Sequence, residues 1–281
     1  MSALFGPSGN SQRFYDEGYK KTLQTFSWLK KNGLDAFEYP AGNGITASLS
    51  TFAAMGEEAK KQGIRTSFHT PYYISLSSVE LEKRLKSIDY IKKSVDAAVA
   101  FGSDIIVIHT GSASKISRGE AVALAKDTMY KALETIPEAP VRFGLETMGK
   151  RNQLGTLDEV LDICSIDSRL APVVDFGHMN AREGGLFVTV DDYRRVFDTI
   201  GEKLGSEYAD RLHCHFSKIE YTLAGEKRHL TFEDSVYGPA FEPLMEAIFK
   251  ENVSPRIICE SAGTQADDAI AMKQHYLSLM H

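Results

Sequence analysis

At 281 residues, with 43% hydrophobic and 25% charged side chains, the chain has the make-up of an ordinary soluble globular protein with a large buried core. Its net charge of −6 excludes a globally basic surface for nucleic acid or anionic membrane, although not a local one. Three cysteines without paired spacing (Cys164, Cys214, Cys259), an N-terminus without a signal-peptide pattern and no apolar run of spanning length suggest a reducing cytoplasm and no membrane partner; a monomer is the expectation, although none of these features bears on oligomeric state.

Short apolar runs alternate with longer amphipathic ones. Predicted strands are ALFG (3–6), DAFEY (35–39), RTSFHT (65–70), DIIVIHT (104–110), RFGLET (142–147), APVVDF (171–176), RLHCHFS (211–217) and RIICES (256–261). Several lack polar alternation, as strands covered on both faces do. Helical patterns lie between them, for example over 14–33, stopped by Gly33, and over 78–102, stopped by Gly102. Thr156 with Glu159 forms a capping box that opens a helix near 157–165. Strand followed by helix, eight times over, predicts a (β/α)8 TIM barrel filling 1–281 as a single domain, with a doubly wound sheet as the competing architecture. The stretch 218–237 is read as a long irregular loop, which in a compact domain is usually functional.

Residues with metal-binding chemistry gather at the strand ends. His69, His109, Glu146 and Asp175 close successive strands, and His178 follows in the next loop. His213 sits in the seventh strand, Glu260 at the end of the eighth, and His229 in the long loop between. His213 and His215 alternate, so both face the same way. In a barrel all C-terminal strand ends open onto one face, so these residues converge there. Any one of them alone reads as a core histidine or half of an ion pair. Together, with three acids behind apolar runs, they point to divalent cations, because an unpaired buried carboxylate costs several kcal/mol. Such mixed imidazole and carboxylate sets favour zinc, with manganese or iron as alternatives. His275, His281 and Trp28 are given structural roles.

The motifs HTPYYISLSS (69–78), VIHTGS (107–112), GLETMGK (144–150), VVDFGH (173–178), LHCHFSK (212–218), EKRH (226–229) and IICES (257–261) resemble, in order, those of the endonuclease IV family. That family comprises metal-dependent apurinic/apyrimidinic endonucleases built on a (β/α)8 barrel with three zinc ions. The resemblance implies His69 and His109 on one metal and Glu146 bridging to a second, which Asp175, His213 and Glu260 complete. It puts His178 and His229 on a third. The family's acid two residues before the loop histidine is Lys227 here, so the third metal is held by Glu226 through a one-residue slip, held by water, or absent. His215 and Phe216 replace the family's asparagine and aspartate in one register, and Lys218 matches its lysine. The loop FEYPAGNG lacks the family's basic character.

The implied reaction is cleavage of duplex DNA 5′ of an abasic site by a hydroxide shared between metals. Glu146 and Glu260 are then catalytic, Tyr72 and Tyr73 wedge into the duplex, and Lys218, Lys227 and Arg228 contact phosphate. The alternative is a divalent-metal sugar isomerase or epimerase using only Glu146, Asp175, His213 and Glu260, with a small sugar as substrate. A binding or sensing protein on the same scaffold is a third reading. The extra histidines favour the multinuclear one.

Overall fold

Each apolar run of the sequence forms a strand within one or two residues of expectation. The computed structural model describes residues 2–280, so His281 lies outside the described residues. The strands are β1 (Leu4–Pro7), β2 (Ala36–Pro40), β3 (Arg65–His69), β4 (Ile105–His109), β5 (Arg142–Glu146), β6 (Leu170–Asp175) and β7 (His213–Phe216), followed by β8 (Ile219–Thr222), β9 (Gly225–His229) and β10 (Arg256–Cys259). Eight of them make one sheet in the order β1-β10-β7-β6-β5-β4-β3-β2, paired in parallel. The seam between β1 and β2 is closed by Asp35 N donating to Phe5 O at 2.9 Å and Gly9 N donating to Glu38 O at 3.0 Å. The result is the expected TIM barrel.

Alternation along each strand sorts the side chains into two sets. Phe5, Phe37, Phe68, Ile106, Ile108, Phe143, Leu145, Val174, Cys214 and Ile257 belong to the large core shared with the surrounding helices. Ile105, Val107, Ala171 and Val173 form a separate cluster, the apolar part of the lumen. The other inward positions follow by counting in twos. They include Glu38 on β2, Ser67 and His69 on β3, Glu146 on β5, Asp175 on β6, and His213 and His215 on β7.

Three helical expectations meet different outcomes. The helix over 78–102 forms as Leu81–Phe101, with Gly102 left-handed at its end, and Thr156 caps Leu157–Cys164 reciprocally with Glu159. The pattern over 14–33 instead yields two helices, Gln12–Asp16 and Gln24–Lys31. Gly18, at φ 86°, turns the chain between them in a conformation only glycine adopts cheaply. Trp28 is buried in the core, its indole N–H donating to Glu17 at 2.9 Å.

The 218–237 stretch is not irregular throughout, because β8 and β9 form an antiparallel hairpin within it. The hairpin lies across the β5 loop, with Glu226 N donating to Gly149 O at 3.1 Å and Arg151 N donating to Ala224 O at 3.0 Å. Glu220 pairs with Arg228 but Tyr221 pairs with Glu226, so Lys227 is the extra residue of a bulge. Among the described residues no helix is long and apolar enough to cross a membrane.

Candidate metal centre

The C-terminal ends of β3 to β7, with the residue after β10, bring their inward side chains to one mouth. Fully buried Glu146 is the hub. Its Oε2 lies 3.1 Å from His109 Nε2 and 3.4 Å from His69 Nε2, while its Oε1 lies 3.0 Å from His215 Nδ1. Asp175, His215 and Glu260 join Glu146 in one group whose ligand-capable atoms all lie within 4.8 Å of one another. His69, Glu146 and His215 form an overlapping group, and His178, Glu226 and His229 a further one.

Two tautomers are fixed by the backbone. His69 Nδ1 donates to Thr70 O at 2.9 Å, and His178 Nδ1 donates to Thr147 O at 3.0 Å, because a carbonyl can only accept. In the neutral rings the lone pairs are therefore on Nε2, facing Glu146 Oε2 at 3.4 Å and Glu226 Oε2 at 3.5 Å. A lone pair opposite a carboxylate is repulsive unless a proton or a cation lies between. Glu146 Oε2 and Asp175 Oδ2 are also buried without a hydrogen-bond partner. Such a donor set fits divalent cations, and the chemistry of the residues present suits zinc or a similar ion.

The proton affinities describe the same field. Burial pushes the Glu146 carboxyl up, but His215, His109 and His178 outweigh it and hold the group well below the usual range. Burial lowers His69, yet the Glu146 carboxylate wins and brings it to about 9. His178 and His215 are likewise raised well above normal by neighbouring carboxylates despite burial. Asp175 goes the other way, lifted by burial and by Glu260 and Glu146. His109 falls, because burial dominates there.

One expectation is corrected. His213 does not join Asp175 and Glu260; His215 does. The register pairs Asp175 with His215 and Val173 with His213, so His213 lies one layer deeper in the lumen. There its Nε2 meets Glu38 Oε2 at 2.9 Å, which also accepts from Ser67 Oγ at 2.8 Å. The other Glu38 oxygen lies 2.9 Å from His215 Nε2, so fully buried Glu38 bridges both histidines. Glu38 and the role of His215 were missed by the sequence reading. The signal was present, since the neighbouring ligand candidates fall on the last residue of their strands and Glu38 is an acid within an apolar run.

The hairpin bulge settles which residue beside Lys227 enters the third group. With Lys227 as the extra residue, Glu226 turns toward His178, and His229 is anchored through Nδ1 on Ser217 Oγ at 2.8 Å. Gly225 makes this fit possible: its φ is 92°, and a Cβ there would stand 2.2 Å from Gly149 O. Gly225→Ala is therefore expected to cost about 2 kcal/mol of stability and to weaken metal binding at this group alone. Thermal unfolding and metal content measure the two effects, and an unchanged pair would refute the fit.

Tyr72 is 56% exposed and stacks on the His109 ring with centroids 5.1 Å apart. Tyr73, also half exposed, packs on Tyr90 instead. Lys218 is committed to the loop, donating to the carbonyl oxygens of Phe232 and Asp234. Arg228 and Lys227 are exposed and share Glu220, each at 2.6 Å. His275 lies in the last helix, edge-on to Phe241.

Residues 26–276 match the family model described as xylose isomerase-like TIM barrel. The chain belongs to that family. It is 30% identical to an uncharacterized protein of Methanocaldococcus jannaschii, over 96% of each chain. It is 28% identical to a probable endonuclease 4 of Acholeplasma laidlawii over 65% of this chain and 62% of that one, less than two thirds of that relative's length. The motif resemblance to endonuclease IV thus meets relatives bearing that name. Endonuclease IV from Thermus thermophilus superposes with a TM-score of 0.69 at 17% identity, covering 93% of this chain and 96% of that one. A D-tagatose 3-epimerase-like protein superposes with a TM-score of 0.72 at 17% identity, covering 98% and 97%. Within the family, the barrel alone does not separate the two chemistries.

Proposed function

We propose that this protein is a metal-dependent endonuclease that cleaves duplex DNA 5′ of abasic sites, acting as a single barrel domain. The observation that carries the reading is the His178–Glu226–His229 group. A sugar isomerase or epimerase needs only the four-residue set of Glu146, Asp175, His215 and Glu260 around one ion, and has no use for a further set at the rim. The endonuclease 4 relatives support the same choice.

His69 and His109 would hold one cation and His215, Asp175 and Glu260 a second, with Glu146 between them; His178, Glu226 and His229 would hold the third. Zinc suits these donors best, with manganese or iron as alternatives. Divalent cations at such a site supply charge neutralisation for the phosphoryl group and acidify a water. Glu38 orients His215 from behind through its second nitrogen, as carboxylates commonly do for metal-bound imidazoles. Tyr72 covers the mouth, and an aromatic ring there can replace the stacking that a duplex loses at a flipped site. Three buried free cysteines accord with a reducing cytoplasm.

The test is a duplex oligonucleotide carrying one tetrahydrofuran abasic analogue. The protein as purified is expected to nick it 5′ of the analogue, and Glu260→Gln to slow nicking by about a thousandfold with the fold intact. Intact DNA after incubation with metal-loaded protein that epimerises a ketose would overturn the proposal in favour of the sugar reaction.

A further inference from the structure

The N-terminal end of the barrel, opposite the metal centre, contains a cavity of about 800 Å³. Barrel interiors are normally filled with side chains, and this end is usually concerned with stability alone. Here the strand starts carry arginines. Arg65 opens β3, Arg142 opens β5, Arg256 opens β10 and Arg211 precedes β7, while Asp104 is the sole acid of the cavity wall among the described residues. Four guanidiniums against one carboxylate leave a surplus of three positive charges.

Asp104 is already shared, at 2.7 Å from both Arg65 and Arg256. Arg142 has no carboxylate partner among the described residues; it lies 4.6 Å over the Tyr208 ring and reaches Leu170 O at 3.4 Å. Among the described residues the Arg211 guanidinium has one carboxylate contact, an exposed one with Asp210 at 3.9 Å. Two buried nitrogens of wall residues, His213 Nδ1 and Arg256 Nε, lack hydrogen-bond partners. His213 is 4% exposed, and its other nitrogen is taken by Glu38. Arginine forks match phosphate oxygens in pairs, and a surplus of them around a hollow is a poor solution to packing. Much of the remaining wall, including Leu4 and Ile105, is apolar.

We propose that this cavity binds a phosphorylated small molecule, its phosphate on Arg142 and Arg211 and its body against Leu4 and Ile105. The site is separate from the metal centre and does not depend on the chemistry performed there.

Calorimetric titration of the purified protein with inorganic phosphate and with phenyl phosphate tests it. Saturable binding is expected, tighter for phenyl phosphate, and weakened about tenfold by Arg142→Gln and by Arg211→Gln. Arg211 is exposed, so its variant reports even where Arg142→Gln fails to fold. Both variants should retain metal content and nicking, and the rim double variant Glu226→Gln/His229→Ala should retain phosphate binding. Absence of saturable binding, binding lost in the rim variant, or arginine variants that bind as tightly as wild type would each overturn the proposal.

Discussion

Glu146→Ala is expected to abolish nicking of an abasic duplex, with a loss of about a thousandfold or more, and to strip the protein of most of its metal. Its carboxylate faces four histidines, His69, His109, His178 and His215, at 3.0–3.5 Å. Of the carboxylates in these sets, Glu146 alone belongs to two overlapping groups among the described residues, so its loss removes an oxygen from both at once. The four imidazoles then face one another without a shared anion. Metal analysis and a nicking assay on the same preparation check this. Full metal content with undiminished nicking would show that Glu146 is only a structural ion-pair partner.

The second large effect is on stability. Glu38→Ala is expected to destabilise the fold by roughly 3–5 kcal/mol, because breaking a buried charged set by removing one partner leaves the others uncompensated. His213 Nε2, His215 Nε2 and Ser67 Oγ all converge on this carboxylate inside the lumen. With roughly 2–4 °C of Tm per kcal/mol for a chain of this size, the melting temperature should fall by about 6–20 °C. Glu38→Gln retains one acceptor oxygen and should cost clearly less. Because Glu38 also orients His215, both variants should weaken binding at the Glu146–Asp175–His215–Glu260 group and spare the hairpin group. A Glu38→Ala protein that melts within about 2 °C of wild type would contradict the role given to this residue.

The barrel was legible because its signal is repetitive. Eight apolar runs separated by helical periods leave little choice of architecture, and each strand was located to within one or two residues. The mouth was legible in outline because barrel closure brings strand ends together whatever lies between them. What failed was depth and local irregularity. Choosing His215 over His213 needs the stagger between β6 and β7, which pairs Asp175 with His215, and no single strand reveals that. Glu38 was legible as an acid inside the apolar run of β2 but was passed over, because it lies before the strand end, where the other ligand candidates fall. Whether Glu226 or Lys227 faced the site depended on a bulge, a backbone event set by the partner strand. The break at Gly18 was missed because the amphipathic period runs on through it. The basic hollow at the far end was missed because its arginines are scattered along the chain from Arg65 to Arg256, at strand starts where no chemistry was sought.

The proposition beneath all of this is that side chains from six strand ends, the helix after β6 (Phe176–Glu183) and one hairpin hold more than one divalent cation. Elemental analysis of the purified protein after exhaustive dialysis tests it most directly. About two to three equivalents of zinc or a similar ion are expected, with the count falling by about one in Glu226→Gln/His229→Ala. A single equivalent, unchanged in that variant, would contradict the multinuclear centre and favour the one-metal isomerase or epimerase reading instead.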